Sequence, residues 1–433
     1  MDCLITHRLK IHYLMILSRM KSLVLAFVLF VTLPYSSFCC TSLIVSSKYT
    51  KDGRPIMMKH RDSSCKDVAV NYFNGDKYTF VAIVDAGAEP GQAWAGTNRA
   101  GFSIMNTASY NIKNDNVHSS EMDREGFVMY LALSKCASVQ DFENFLDSLS
   151  RPMGVEANFG VIDAFGGAAY YEVNNYTWVK YDVNDQTVAP DGYRIVTNFS
   201  ESGRKEDYKG YERYLTALDI AKSMPVCRGK YDFDHKWLFD NISRSYRHSF
   251  MGLDCSNYAT KGNGIVPDQD FIPRFSTSCS MVFEGVAPGT NPLGTVMWTI
   301  LGYPACSVAI PVIVGGENIV PEYLRPAKND FHSAISDIAK QIKLSHVFRW
   351  KVSNGRDYLD IRSVVKGRDG RPALLKCASL CENEIDRLFV PLYTKWSVGL
   401  ISDDEFYSEY MKQTSMFFDL YLDKFGRFSR NIH

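Results

Sequence analysis

From residue 40 onward the chain alternates apolar and polar side chains in short runs, each closed by turn residues. Runs at 41–47, 55–62, 79–86, 92–98 and 101–108 are rich in β-branched and aromatic residues and end in stretches such as Lys51-Asp-Gly-Arg and Asn98-Arg-Ala-Gly. A period of two, punctuated by Gly, Asp and Asn, predicts strands. Five of them in close succession predict an antiparallel meander. The spacing then turns helical over 125–136 and 138–149, with Ser138 as N-cap of the second helix. Strands are expected again at 157–164, 168–174, 178–183 and 193–198, helices at 208–223 and 235–246, and strands at 277–285, 294–301 and 307–314. Helices at 331–344, 384–396 and 403–425 close the chain.

Strand blocks that alternate with helix pairs, without regular βαβ units, predict an α+β fold: two antiparallel sheets stacked together with helices outside. No internal repeat, low-complexity tract or linker interrupts 40–433, so this span reads as one decorated domain whose part from 329 to 433 is mostly helical.

Residues 1–39 carry a different pattern. Lys21-Ser-Leu-Val-Leu-Ala-Phe-Val-Leu-Phe-Val-Thr-Leu-Pro34 has a basic start and an apolar run closed by a helix breaker. The run is shorter than the roughly 20 residues that span a bilayer, so it predicts a secretory signal peptide rather than a signal anchor. Met20-Lys21 offers a second start, which would make residues 1–19 an over-extended beginning. Signal peptidase favours small residues at the last and third-last positions before its cut. A cut between Cys39 and Cys40 leaves Cys39 and Ser37 there, so the mature chain is expected to begin at Cys40. Tyr35 and Phe38 fit a lipoprotein signal badly. The expected destination is the periplasm or the extracellular space, with no stable membrane insertion.

Composition narrows the function. The 433 residues are 46% hydrophobic and 22% charged, ordinary for a protein with a sizeable core. Lys plus Arg equals Asp plus Glu, 48 each, and no long basic run exists to grip a phosphate backbone, so nucleic acid is not an expected partner. Of the 11 cysteines, Cys3 and Cys39 would leave with the leader. The other nine are Cys40, Cys65, Cys136, Cys227, Cys255, Cys279, Cys306, Cys377 and Cys381. Export permits disulfides, although a core of this size does not require them. Cys377 and Cys381 lack a nearby His or second Cys pair and read as two buried helix thiols one turn apart rather than half a metal site.

If processing exposes Cys40, its thiolate is a strong nucleophile and its own α-amino group, with an ordinary pKa of roughly 7.7 to 8.0, is close enough to act as base. Cys40-Thr-Ser-Leu-Ile-Val followed by Lys51-Asp-Gly-Arg-Pro-Ile-Met-Met-Lys-His-Arg-Asp62 resembles the opening of the N-terminal-nucleophile (Ntn) hydrolases. It is similar above all to the choloylglycine hydrolase and acyl-CoA:6-aminopenicillanate acyltransferase group. Further matches are Trp94-Ala-Gly-Thr-Asn-Arg-Ala-Gly-Phe-Ser-Ile-Met-Asn106, Ala157-Asn-Phe-Gly-Val-Ile-Asp-Ala-Phe-Gly-Gly-Ala-Ala-Tyr-Tyr-Glu172, Ile195-Val-Thr-Asn198 and Ser276-Thr-Ser-Cys-Ser-Met-Val-Phe283. They span 40–314 in order, and the helical end of the chain does not contribute.

The resemblance implies an αββα sandwich in which Cys40 is the nucleophile and Asp62 orients its amine. It implies that Asn106 and Asn198 donate to the oxyanion; neutral amide N–H groups suit charge that develops only during attack. The family's Arg before that Asp is Lys59 here, with His60 and Arg61 following, so either Lys59 or Arg61 faces the thiol. Arg274 matches a second family Arg. The implied activity is cleavage of linear non-peptide amides, such as bile-salt-like, N-acyl amine or β-alanyl amide substrates, through a thioester, with no cofactor and no metal. An acyltransferase of the same family and a non-enzymatic secreted binding protein, which the 25 Tyr and 26 Phe would suit, are the alternatives. Papain-like chemistry lacks a suitable context at His60, His118, His235, His248, His332, His346 or His433, and no Gly-x-Ser-x-Gly elbow occurs. A small-molecule amide is the expected partner, and a homo-oligomer stays open.

Overall fold

The alternation that begins at residue 40 becomes a hairpin. In a computed structural model that describes residues 39–85, 91–268, 270–315, 317–327, 332–351 and 357–428, β1 (Cys40–Val45) turns through Gly53, at φ +73, into β2 (Ile56–Asp62). The expected leader, apart from Cys39, lies outside the described residues. Next along the chain come β3 (Val68–Asn74), β4 (Thr79–Asp85), β5 (Ala95–Asn98), β6 (Ser103–Ala108), β7 (Ala157–Ile162), β8 (Ala168–Val173), β9 (Trp178–Asp182) and β10 (Tyr193–Val196). β11 (Thr277–Glu284), β12 (Val296–Leu301) and β13 (Ile310–Val312) follow, together with a few strands of two to four residues.

Two antiparallel sheets result. One has the order β10-β1-β2-β11-β12-β13, and the other runs β3 to β9 in sequence. Three expectations are corrected. The opening strands do not form one meander: β1 and β2 belong to the six-stranded sheet, and the chain then crosses to the seven-stranded one. β3 was not expected at all. The helix drawn over 384–396 begins ten residues earlier, at Leu374.

Residues directly opposite in an antiparallel pair share a face. Cys40 opposes Arg61, Ser42 opposes Lys59 and Ile44 opposes Met57, so these six look the same way. They look into the sandwich. Tyr170 of β8 donates its hydroxyl to Ser42 Oγ at 3.0 Å, and a Cβ on Gly160 would sit 2.6 Å from Met105 and 3.1 Å from Ile44. Ile44, Met57, Val70, Val81, Ile83, Met105 and Ile162 are fully buried between the sheets, each contributing about 1.5–3 kcal/mol.

The far face of the seven-stranded sheet packs Phe80, Ile104, Phe159 and Tyr171 against α1 (Glu125–Lys135) and α2 (Val139–Ser148). Ser138 caps α2 as expected, in a reciprocal box with Asp141. The far face of the six-stranded sheet carries α3 (Tyr211–Lys222), α4 (His235–Leu238), α5 (Ala334–Ile342), α6 (Leu374–Ser397) and α7 (Asp403–Phe425). The helices expected at 235–246 and 331–344 are α-helical only in their first part and continue as π-turns at Phe239–Ser243 and Lys343–Val347. Cys377 and Cys381 lie buried one turn apart on α6. Among the described residues no helix is long and apolar enough to cross a membrane.

Candidate active site

The register of β1 against β2 assembles the site. Cys40 is the first residue of β1 and is 5% exposed. Its side chain lies on the inner face with Lys59 and Arg61 of β2 and Cys279 of β11, which opposes Arg61 from the other side. Both candidate cations therefore share the face of the thiol, and their partners separate them. Arg61 is spent on Asp85 at the end of β4, in a two-pronged pair at 2.7 and 2.9 Å, and lies over the Trp94 ring at 4.9 Å. Lys59 donates to the Trp94 carbonyl at 2.6 Å and to Asn106 Oδ1 at 2.8 Å, both neutral acceptors. Burial pulls its ammonium down to about 8. Burial pushes the Cys40 thiol up; Lys59 is the strongest influence in the opposite direction, ahead of Arg61 and the Asp62 backbone N–H.

Alternation sends His60 to the outer face, where its ring nitrogens meet Ser280 Oγ at 2.8 Å and Thr277 Oγ1 at 3.1 Å. Asp62 ends β2 beside the start of β1, and its backbone N–H donates to the Cys39 carbonyl at 2.9 Å. Asp62 Oδ1 accepts from Thr277 Oγ1 at 2.8 Å. Oδ2 lies 3.0 Å from Arg274 Nε, an ion contact whose geometry is too poor for a hydrogen bond. Burial acts to raise the Asp62 pKa, but the Arg274 and His60 contacts outweigh it and hold the carboxyl below its ordinary range. Arg274 is thus brought to Asp62, and it also reaches Asp270 at 3.3 Å.

The two asparagines differ. Asn106, on β6, has its oxygen held by Lys59. Asn198, just beyond β10, receives both the Cys40 backbone N–H and Arg213 Nη2 on Oδ1, each at 2.8 Å, and its Nδ2 donates to the Ala108 carbonyl at 2.9 Å. Two donors on one side and an acceptor on the other fix this amide orientation. Asn198 therefore turns its oxygen toward the Cys40 nitrogen and its NH2 group toward the Ala108 carbonyl.

Two residues that hold the site were not singled out in the sequence. Arg213 of α3 is 1% exposed and donates to the Cys40 carbonyl at 2.5 Å and to Thr41 Oγ1 at 3.2 Å, besides Asn198. Its signal was positional: it shares a helical stripe with buried Ala217, Ile220 and Ala221, where a charge has no business unless paired. Asn158 of β7 ties β6 to the loop of Asn198, donating to Thr107 Oγ1 at 3.1 Å and the Phe199 carbonyl at 3.2 Å while accepting from Ser200 Oγ at 2.6 Å.

Elsewhere, single donor atoms of Asp67, His332 and Asp337 lie within 4.8 Å of one another. Lys340 pairs with Asp67, and His332 Nδ1 lies 3.0 Å from Asp337 Oδ1.

No protein-family profile matches the chain, and no curated protein matches its sequence. Solved structures do resemble it. The N-acylethanolamine-hydrolyzing acid amidase ortholog of Caenorhabditis elegans is 14% identical, aligns over 58% of this chain and 93% of its own, and gives a TM-score of 0.39. A mutant conjugated bile acid hydrolase from Clostridium perfringens is 11% identical over 64% of this chain and 93% of its own, with a TM-score of 0.39. Penicillin V acylase from Agrobacterium tumefaciens is 12% identical over 63% and 86%, with a TM-score of 0.36. The chain is similar to these three structures at low identity, and its two sheets are established by its own strand pairing.

Proposed function

We propose that this chain is an Ntn hydrolase of the choloylglycine hydrolase kind that cleaves linear, non-peptide amides, with Cys40 as its nucleophile after removal of residues 1–39 as an export signal. One observation carries the reading: a strand opens on a buried cysteine whose backbone nitrogen is held by a side-chain oxygen, on the same face as two cations and beside an ion-paired carboxylate. A buried structural thiol needs none of these partners.

In this reading the Cys40 thiol passes its proton to its own α-amine and Sγ attacks the amide carbonyl. Asn106, whose oxygen is engaged by Lys59, offers its NH2 group to the oxyanion, with Lys59 adding positive charge nearby. Asn198 holds the terminal nitrogen through its Oδ1. Asp62, with Arg274 behind it, orients the terminus. The ammonium then protonates the leaving amine as the C–N bond breaks, leaving a thioester. Water, deprotonated by the same amine, releases the acid and returns the thiol.

N-terminal sequencing of the exported protein is expected to begin at Cys40. Cys40→Ala is expected to lower amine release from an amide panel by at least about 10³-fold, with an unchanged circular dichroism spectrum. Full turnover in that variant would refute the assignment.

A further inference from the structure

The motifs bring Cys40, Asp62 and two asparagines to the site but nothing from α3, yet α3 supplies Arg213, which donates to the Cys40 carbonyl and to the amide that holds the Cys40 nitrogen. We propose that Arg213 is a positioning residue that fixes the direction of the Cys40 nitrogen and keeps the released amine in its basic, uncharged form. The inference rests on the reading of Cys40 as the processed terminal nucleophile.

A guanidinium is a rigid planar fork of donors. Here one prong grips the Cys40 carbonyl and Thr41 Oγ1, and the other grips Asn198 Oδ1. A single rigid group thus holds both the backbone of the nucleophilic residue and the amide that receives its nitrogen. Asn198 could otherwise rotate by half a turn. With Arg213 present, that flip would set NH2 against guanidinium N–H groups and oxygen against the Ala108 carbonyl, leaving buried polar atoms opposed at both ends. The fork therefore keeps an acceptor aimed at the Cys40 nitrogen. A terminal amine there spends one hydrogen on Asn198, which fixes where its lone pair points.

Around this nitrogen stand Lys59, Arg61, Asp62 and, on the outer face, His60 from β2. Arg274 and Cys279 come from β11 and the turn before it, Asp85 from β4, and Arg213 with Glu212 from α3. Arg61 is matched by Asp85 and Arg274 by Asp62. Arg213 has one ion pair among the described residues, with Glu212 at 3.4 Å from Nε and 24% exposed, and it helps hold Asp62 ionised from farther off; Asp62 already has Arg274, so the Arg213 charge is incompletely matched beside Cys40. A cation this close in a dry site disfavours a second one, so the ammonium loses its proton more readily.

The test is the pH profile of kcat/KM for amide cleavage by the processed protein and by Arg213→Gln and Arg213→Lys. A base must be uncharged, so activity falls below its pKa. Removing the neighbouring charge raises that pKa, and the acid limb of Arg213→Gln is expected to move up by about one pH unit. Arg213→Lys keeps the charge but cannot fork: its acid limb is expected to stay in place while kcat falls about tenfold with little change in KM. A purely structural role would lower thermal stability and leave the limb unmoved in Arg213→Gln, which would overturn the inference while amide turnover by the wild type, lost in Cys40→Ala, upheld the parent reading. If Arg213→Gln does not fold, Arg213→Lys decides alone, and a wild-type kcat in that variant overturns the proposal. Undiminished turnover in Cys40→Ala would sink the parent reading and this inference with it.

Discussion

Two buried ionic clusters lie on the six-stranded sheet, and they differ in how completely their polar atoms are used. Toward the outer helices, Glu284 of β11 accepts from the His235 ring and backbone at 2.9 and 3.0 Å and from Trp298 Nε1 at 3.2 Å, with Arg54 at 3.4 Å. The other His235 nitrogen meets Asp386 of α6 at 3.1 Å. Beside it, Arg244 makes a two-pronged pair with Glu382 of α6 at 2.8 and 2.7 Å and donates to the Pro304 carbonyl at 3.0 Å. None of these side chains has a buried atom without a partner among the described residues. Around Cys40 the composition is similar, but Asp62 Oδ2, Arg274 Nη2 and Trp94 Nε1 are buried without a hydrogen bond. A closed ionic cluster clamps elements together, whereas one with spare donors and acceptors has capacity for a polar ligand.

This comparison is easiest to break at α6. Glu382→Ala leaves buried Arg244 with Asp240, at 3.0 Å and 39% exposed, as its one acidic partner among the described residues, and is expected to cost about 3 kcal/mol in chemical denaturation, with kcat/KM of the folded protein unchanged. A loss of activity without a loss of stability would erase the distinction. The reciprocal experiment is Asp62→Asn. It keeps the shape and the Thr277 contact but removes the charge, and is expected to lower kcat/KM about 10²-fold, or about 2.7 kcal/mol of transition-state stabilisation, with a stability change smaller than that of Glu382→Ala.

The clamp also has a pH signature. Burial works against protonated His235, yet Glu284 and Asp386 outweigh it and lift its pKa to about 10. An unfolded histidine titrates near about 6.5. The resulting stabilisation is present in full below that pH and drains away as pH rises toward 10. Thermal midpoints are therefore expected to fall across this window in the wild type and to show a flatter profile in His235→Gln. The cluster around Cys40 works in the opposite direction. The Asp62 pKa is held below its ordinary value, so its stabilisation is present above the unfolded pKa and is lost only as pH falls through the folded one.

The sequence made the strands and helices legible where one face was strictly buried, as in β2 or along α7, whose expected bounds, 403–425, match its observed ones, Asp403–Phe425. It did not make partners legible. A period of two assigns a strand its faces and says nothing about which neighbour it pairs with, so the hairpin β1–β2 and the meander from β3 looked continuous. β3 was missed because Val68-Ala-Val-Asn-Tyr-Phe-Asn74 begins with three buried apolar residues and ends at the surface, blurring the alternation. In the site, strand spacing put Cys40 near the end of the segment that carries Asp62, but the polarity of Asn198 depends on Arg213, which arrives from a helix 173 residues after Cys40. No local pattern contains that contact.

The atom proposed as base is backbone, and this changes what can disturb it. A side-chain base can turn about its torsions to absorb a shift in its surroundings. The Cys40 nitrogen has less freedom: its position follows the pairing of β1 with β2, and Asn198 limits its direction. Lengthening or shortening the turn at Gly53 would then be felt at the opposite end of the hairpin, making a distant surface loop a handle on the chemistry.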